Sequence, residues 1–324
     1  MLTRRQVFPQ CALAVLGGMM VLAGMERTVE ADDVAMAELP AGVKRVLFLG
    51  DSITYAGQYT VDVEAYLITR YPKRRIEFVN VGLPSETTSG LSEAGHAGGA
   101  FPRPVLSERL GRVLDQVKPD FVFACYGMND GIYLPFDEAR FKAFQDGITA
   151  MRAAVIAAPA EIVLLTPPYF DGLKFGNMPY VDTLDRYSKW LLDQRSAGWR
   201  VIDVHGPMTA YVDDKRRTDA HFGFADDGVH PNDLGHWIMA KAILVGLGAK
   251  DLDGVSDAAA MARAYPNGEQ ILALVRQRED LMKDAWLTAT GHKRPGMAKG
   301  LPLAEAEAKA AKIQGQIDGL TTKT

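Results

Sequence analysis

The stretch VKRVLFLGDSIT, Val43 to Thr54, begins as a β-branched and aliphatic run and stops abruptly at Gly50-Asp51-Ser52. A short apolar run bounded by turn residues has the composition of a strand buried on both faces, as in a parallel sheet. A serine delivered there sits at the carboxyl end of a strand, the rim at which open α/β sheets bind ligands. Asp51-Ser52 is also what an ordinary polar turn contains. The stretch therefore takes its meaning from the rest of the chain.

Beyond Thr54 the chain alternates between strand and helix signals. Residues 58–69 carry apolar positions at helical spacing, and 75–81 (RIEFVNV) read as a second strand ending at Gly82. Leu83 to Arg103 is rich in Gly, Ser, Pro and Thr without periodicity, and so reads as a long loop, a feature that in compact domains usually carries function. Helical spacing resumes at 106–117, followed by a strand at 120–126 that ends at Gly127-Met128-Asn129-Asp130. A helix at 141–157, a strand at 161–166 broken by Pro167-Pro168, a helix at 180–195 and a strand at 199–204 complete the pattern. Strand and helix in alternation predict a doubly wound α/β domain on a parallel sheet. Asn232 suits the N-cap of an apolar helix running through Leu247. Beyond Lys250 only helices are predicted, at 256–264, 269–288 and 303–317. Ile271, Val275, Met282 and Trp286 form one stripe, and Ala306, Ala310, Ile313 and Ile317 a second, so this tail is expected to pack on the core.

Of 324 residues, 48% are hydrophobic and 23% charged, enough apolar content for a large core, and 36 basic against 40 acidic residues give a net charge of −4. That balance points away from a nucleic-acid partner. Arg4-Arg5 precedes an uncharged apolar run, Cys11 to Gly24, too short to span a bilayer comfortably, and Val29-Glu30-Ala31 offers small residues for cleavage. Export is expected, to the periplasm or the medium, with residues 1–31 as signal peptide, 32–42 as linker and no stable membrane span afterwards. Thr3 to Phe8 resembles a twin-arginine motif, which leaves the export route open. Cys125 alone survives that cleavage, so no internal disulfide is expected and stability must come from the core.

Three strand ends and one polar turn carry residues of a single chemical purpose. A serine hydroxyl attacks at neutral pH only with an imidazole to take its proton. His230 suits that task. The imidazole needs one tautomer held, and Asp227, three residues earlier, reaches back across a turn better than Asp226. Attack on an ester makes an oxyanion, and each donor aimed at it is worth roughly 3 to 4 kcal/mol. The backbone N–H groups of Ser52 and Gly82 and the side-chain amide of Asn129 are the candidates.

Gly50-Asp51-Ser52-Ile53, Gly82 after a strand, Gly127-Met128-Asn129-Asp130 and Asp227-Gly228-Val229-His230-Pro231 stand in order along the chain. Together they resemble the four blocks of the SGNH hydrolase superfamily, the GDSL-type esterases and lipases, over about residues 43–248. Ile53 replaces the leucine of the name-giving pattern. The resemblance implies a three-layer α/β/α flavodoxin-like sheet over 43–250, a helical extension over 251–324, Ser52 as nucleophile, His230 as base, Asp227 as its orienting acid, and Gly82 and Asn129 as oxyanion donors. The G-x-S-x-G elbow of α/β-hydrolases is absent from the sequence.

His96, on the long loop, and Tyr126 and Tyr133, at strand ends, are candidates for contact with substrate. Gly291 to Gly296, with Lys293 and Arg294, is taken to fold over the carboxyl rim of the sheet. His205, His221 and His236 lack metal-ligand spacing and are read as structural. The leading function is an exported serine esterase acting on acyl esters, O-acetyl groups of carbohydrate first, with no metal or cofactor. A lysophospholipase, lipase or thioesterase uses the same chemistry, and a non-catalytic glycan-binding module is possible on the same fold. Acyl length, the alcohol and the oligomeric state are not encoded legibly.

Overall fold

The computed structural model describes residues 39–176 and 178–321. The proposed signal peptide and most of the linker lie outside the described residues. Five strands, β1 (Arg45–Gly50), β2 (Glu77–Asn80), β3 (Phe121–Cys125), β4 (Glu161–Leu165) and β5 (Arg200–Ile202), form one sheet in the order β2-β1-β3-β4-β5. Every pairing is parallel, with Val46 opposite both Phe78 and Phe121. This is the flavodoxin-like order, reversed in direction at β1 and β3, and so the switch point lies where Ser52 emerges.

Ten α-helices occur among the described residues: α1 (Ser52–Ala56), α2 (Gln58–Arg70), α3 (Leu110–Val117), α4 (Glu138–Ala157), α5 (Val181–Asp193), α6 (His205–Arg216), α7 (Asp233–Gly246), α8 (Ala258–Arg263), α9 (Gly268–Thr290) and α10 (Leu303–Thr321). α2 packs with α7, and α3 with α4, so that helices cover the sheet. The strand interiors are apolar on both faces because both are covered: Val46 to Leu49 and Phe121 to Cys125 are all buried. Cys125 is a free, buried thiol.

Two helices exceed what periodicity predicts. α1 is a five-residue turn of helix after β1, too short to show a period. α6 follows β5 directly, and Val204, Met208 and Val212 are buried at four-residue spacing. The charge run Asp213 to Arg217 ends that helix: Asp213, Asp214 and Arg217 are exposed, whereas Arg216, in the last turn where cations meet the helix dipole, turns inward to the buried Asp171 carboxylate at 2.6 Å. α4 starts before 141 because Asp137 caps it, accepting from the Arg140 N–H at 2.9 Å.

The tail packs on the core. Ile271, Val275, Ala306 and Ile317 are fully buried, and α9 lies against α2, α3 and β2 with α10 behind it. An edge strand left bare is a template for unwanted pairing, and α9 covers the β2 edge. A cavity of about 590 Å³ remains between β2, α2, α9 and α10, with Phe78, Asn80, Glu279 and Trp286 among its walls.

α4 approaches the loop after β2 through Gly147, where a Cβ atom would lie 2.2 Å from the Thr88 carbonyl oxygen. Gly111, in α3, has nothing within 4 Å. Gly147→Ala is expected to lower stability by about 1–3 kcal/mol through overpacking, whereas Gly111→Ala gains up to about 1 kcal/mol of helix propensity. Urea unfolding midpoints of the two variants, which should move in opposite directions, check this.

Candidate active site

Ser52 is the first residue of α1. Asp51 is its N-cap, with Oδ1 accepting from the Ile53 N–H at 3.0 Å and the Asp51 carbonyl accepting from the Tyr55 N–H at 2.9 Å. Capping leaves the first N–H of a helix without an intrahelical partner. The Ser52 N–H and hydroxyl are therefore presented together at the end of β1.

His230 and Asp227 come from the turn before α7. Asp227 Oδ1 accepts from the N–H groups of Val229 (2.9 Å) and His230 (2.8 Å), which curls the turn, and Oδ2 lies 2.6 Å from His230 Nδ1. Asn232 then caps α7, accepting from the Gly235 N–H at 3.0 Å. Gly228 makes the turn possible: its φ is +79°, and a Cβ there would sit 2.7 Å from the Asp171 carbonyl oxygen. Because Nδ1–H donates to Asp227, Nε2 is left as an acceptor in the neutral ring, and Ser52 Oγ lies 2.8 Å from it. Partial desolvation acts to raise the Asp227 carboxyl, but the hydrogen bonds from the His230 ring, the His230 N–H and the Val229 N–H outweigh it and hold Asp227 below the usual carboxylate range. The His230 side chain is 51% exposed, so the serine is reached from solvent at an open rim.

Asn129, buried after β3, points its amide into the same region. Its Oδ1 accepts from Arg103 Nη1 at 2.8 Å and from the Tyr133 hydroxyl at 3.1 Å, which fixes the orientation of the amide. Nδ2 faces Asp51 Oδ2 and the Glu86 carbonyl, each at 3.3 Å, long for N–H···O bonds.

Gly82 does not meet the expectation set for it. Its N–H is buried and donated to Asn80 Oδ1 at 2.9 Å, which removes it as an oxyanion donor. Of the next backbone N–H groups along the loop, Leu83 donates to Gly50, Glu86 to Leu83, Thr87 to Pro104, and Thr88 and Ser89 to Asp130. Pro84 has none. Among the described residues the Ser85 N–H is donated to no protein acceptor, and Ser85 is half-buried with φ +67°, next to the Glu86 carbonyl that Asn129 touches. Sequence reasoning missed Ser85. A positive φ at a residue other than glycine leaves no compositional mark.

Tyr126 is likewise misplaced as a substrate contact: it is 1% exposed, and its hydroxyl donates to Glu86 Oε2 at 2.7 Å. Glu86 and Arg109 form a fully buried two-point ion pair at 2.6 and 2.7 Å. Tyr133 stays beside the site through Asn129, with the Arg103 guanidinium 5.2 Å from its ring centre. His96 lies one layer out, with Nδ1 3.4 Å from Glu93 and its ring edge-on to Phe101. Desolvation and the nearby Arg103 charge lower its pKa. The 291–296 segment reaches the same loop, Arg294 lying over Phe101 at 5.3 Å and Lys293 lying 3.6 Å from Glu108.

Asp51 is buried beside the serine, and desolvation pushes its carboxyl up to about 7, with Asp130 and Glu86 adding to the shift against the Ile53 N–H and His230. Among the described residues no group of three or more His, Cys, Asp or Glu is placed to hold a metal ion, and no helix is long and apolar enough to cross a membrane. His205 is tied to Asp185 at 2.7 Å and Pro167 at 3.2 Å.

Residues 48–238 match the GDSL-like lipase/acylhydrolase family. An acetylxylan esterase of Geobacillus stearothermophilus is 25% identical over 226 residues, which span 63% of this chain and 94% of that relative. A crystal structure of a catalytic mutant of Axe2, an acetylxylan esterase from the same organism, superposes with a TM-score of 0.52 at 23% identity, covering 66% of this chain and 97% of the other. A gut microbial diltiazem-metabolizing enzyme superposes with a TM-score of 0.52 at 21% identity, covering 66% of this chain and 49% of the other. The family match spans more than half of the chain and includes the end of β1 with Ser52, the Asn129 turn and the His230 turn, so this protein belongs to the GDSL-like lipase/acylhydrolase family of the SGNH superfamily and is a carboxylic ester hydrolase.

Proposed function

We propose that this protein is an exported serine esterase that removes acetyl groups from carbohydrate, with Ser52 as nucleophile, His230 as base and Asp227 as the acid that orients it. The observation that carries the reading is the continuous path of hydrogen bonds from Asp227 through His230 to Ser52. His230 Nε2 takes the hydroxyl proton as Oγ attacks the ester carbonyl, and Asp227 stabilises the imidazolium that forms. The negative oxygen of the tetrahedral intermediate is received by the Asn129 amide and by the N–H groups of Ser52 and Ser85. His230 returns its proton to the departing alcohol, leaving an acyl group on Ser52. Water then repeats the attack with His230 as base, releasing the acid and restoring the serine.

Three features support the substrate class. The acetylxylan esterase relative is matched over 94% of its length. The serine opens to solvent at a half-exposed histidine, which suits an ester carried on a bulky alcohol. The loop after β2 is polar and small, which suits a sugar better than a long acyl chain. Export rests on the Arg4-Arg5 segment and the apolar run behind it. On this reading residues 43–250 form the catalytic domain and 251–324 an extension of it.

Hydrolysis of p-nitrophenyl esters from acetate to laurate by the chain from Asp32 onward is expected to be fastest on acetate and to fall with acyl length. A maximum at long chains would move the assignment to a lipase. Ser52→Ala and His230→Ala should each lose at least about 10³-fold in kcat/KM, and Asn129→Ala about 10²- to 10³-fold in kcat. No loss in Ser52→Ala would overturn the mechanism. Asp227, held low, stays ionised at neutral pH and across the usual assay range. Asp51, with its carboxyl pushed up to about 7, changes charge beside the serine near neutral pH, so a step in the rate there that is lost in Asp51→Asn belongs to Asp51.

A further inference from the structure

The tail lies beyond the family match, which ends at residue 238, and yet it reaches the nucleophile's helix by way of one buried amide. Asn80, at the end of β2, is 4% exposed and uses all of its hydrogen-bonding groups. Its Oδ1 accepts from the Gly82 N–H, and Nδ2 donates to the Thr54 carbonyl at 2.7 Å, inside α1, and to Glu279 Oε1 at 2.8 Å, on α9. Glu279 also meets Thr60 Oγ1, at 2.5 and 2.7 Å, and Thr60 lies 2.7 Å from the Gly57 carbonyl at the turn between α1 and α2. Further along α9, Asp284 accepts from the Tyr55 hydroxyl at 2.8 Å. α1 is thus held from beneath at Thr54 and Tyr55 by a helix that no part of the catalytic motif encodes.

We propose that Glu279 is a positioning residue for the esterase reaction: by accepting from Asn80 it fixes the orientation of that amide, and with it the placement of α1 and of the loop that begins at Gly82. The proposal rests on Ser52 being the nucleophile. Without an acceptor at Glu279, one Asn80 N–H turns to the cavity beside it and no protein group fixes the amide, which by reorienting would release either the Thr54 carbonyl or the Gly82 N–H. A displacement of about 1 Å at a reacting group can cost about 10²-fold in rate.

Proton accounting favours a neutral Glu279. Thr60 has one hydrogen, and the Gly57 carbonyl and an ionised Glu279 would both need it. With Glu279 protonated, Thr60 donates to Gly57 and Glu279 donates to Thr60 from one carboxyl oxygen, so that the Gly57 carbonyl and Glu279 no longer compete for the one Thr60 hydrogen. The charged groups facing Glu279 are Glu64 on α2, ion-paired to Arg278, and Lys283 on α9. Desolvation with Glu64 outweighs Thr60, Asn80 and Lys283 and pushes the Glu279 carboxyl up to about 8. A folded-state value raised in this way stabilises the fold at acid pH, and that contribution is lost as pH rises through about 8.

The test compares kcat and KM on p-nitrophenyl acetate for the wild type, Glu279→Leu and Glu279→Gln, with Ser52→Ala as reference. Glu279→Leu should lower kcat by about 10- to 100-fold with KM nearly unchanged, and should slow phosphonylation of the serine by a fluorophosphonate to the same degree. Glu279→Gln accepts from Asn80 and donates to Thr60, so it should retain most of kcat. It should also keep its rate above pH 8, where the wild type declines. Wild-type kcat in Glu279→Leu, with Ser52→Ala inactive, overturns the positioning role. Full activity in Ser52→Ala overturns the nucleophile assignment instead. If Glu279→Leu fails to fold, the Gln variant decides alone, and an alkaline profile identical to the wild type overturns the proposal.

Discussion

The carboxylate of Asp130 accepts from the Thr88 N–H and hydroxyl and the Ser89 N–H at Oδ1, and from the Gly127 N–H at Oδ2, all within 3.0 Å. It thereby ties the loop that leaves β2 to the turn that leaves β3. Neighbouring strands in a parallel sheet are set by their ladders, but the segments past the last ladder bond have no such register. A buried acid that collects four donors supplies it. The carboxyl is nevertheless raised by desolvation, which those hydrogen bonds only partly oppose. Removing it would strand backbone donors in the interior and let Asn129 drift relative to Ser85.

The same device recurs around the rim. Asp51 caps α1, Asp227 curls the turn that carries His230, and Glu86 joins Arg109 and Tyr126 beneath Asn129. Each anion or acid is satisfied largely by backbone N–H groups or by a single buried guanidinium. Apolar packing of the sheet puts the strand ends in one plane, and these polar clusters then set the loops to within hydrogen-bond tolerance. The Ser52–His230 pair itself stays at an exposed rim.

The tail adds a third level of support. α9 closes the β2 edge and, through Glu279 and Asp284, contacts the helix that starts at Ser52. Its apolar stripe at Ile271, Val275 and Trp286 explains why it docks, and its acidic residues on the adjoining face explain where it docks. An extension that looks dispensable from the motif alone is therefore packed against the helix that carries Ser52.

Legible along the chain were the α/β alternation, the buried strands, the Asn232 cap, the stripes of the tail and the strand ends and turn that bring Ser52, Asn129, Asp227 and His230 together. Burial on both faces, helical period and capping are local properties, written in residues close together along the chain. α1 and α6 escaped because one is shorter than a period and the other hides its apolar face among charges. Tertiary structure alone decided which groups are already engaged. Gly82 was the natural donor until its N–H was found on Asn80, and Tyr126 a plausible contact until its hydroxyl was found on Glu86. Ser85, Arg103 and Glu279 carry no signal of their own. Arg103 lies 26 positions from Asn129 and Glu279 lies 199 from Asn80, and such hydrogen bonds exist only once the folded chain has brought their partners together.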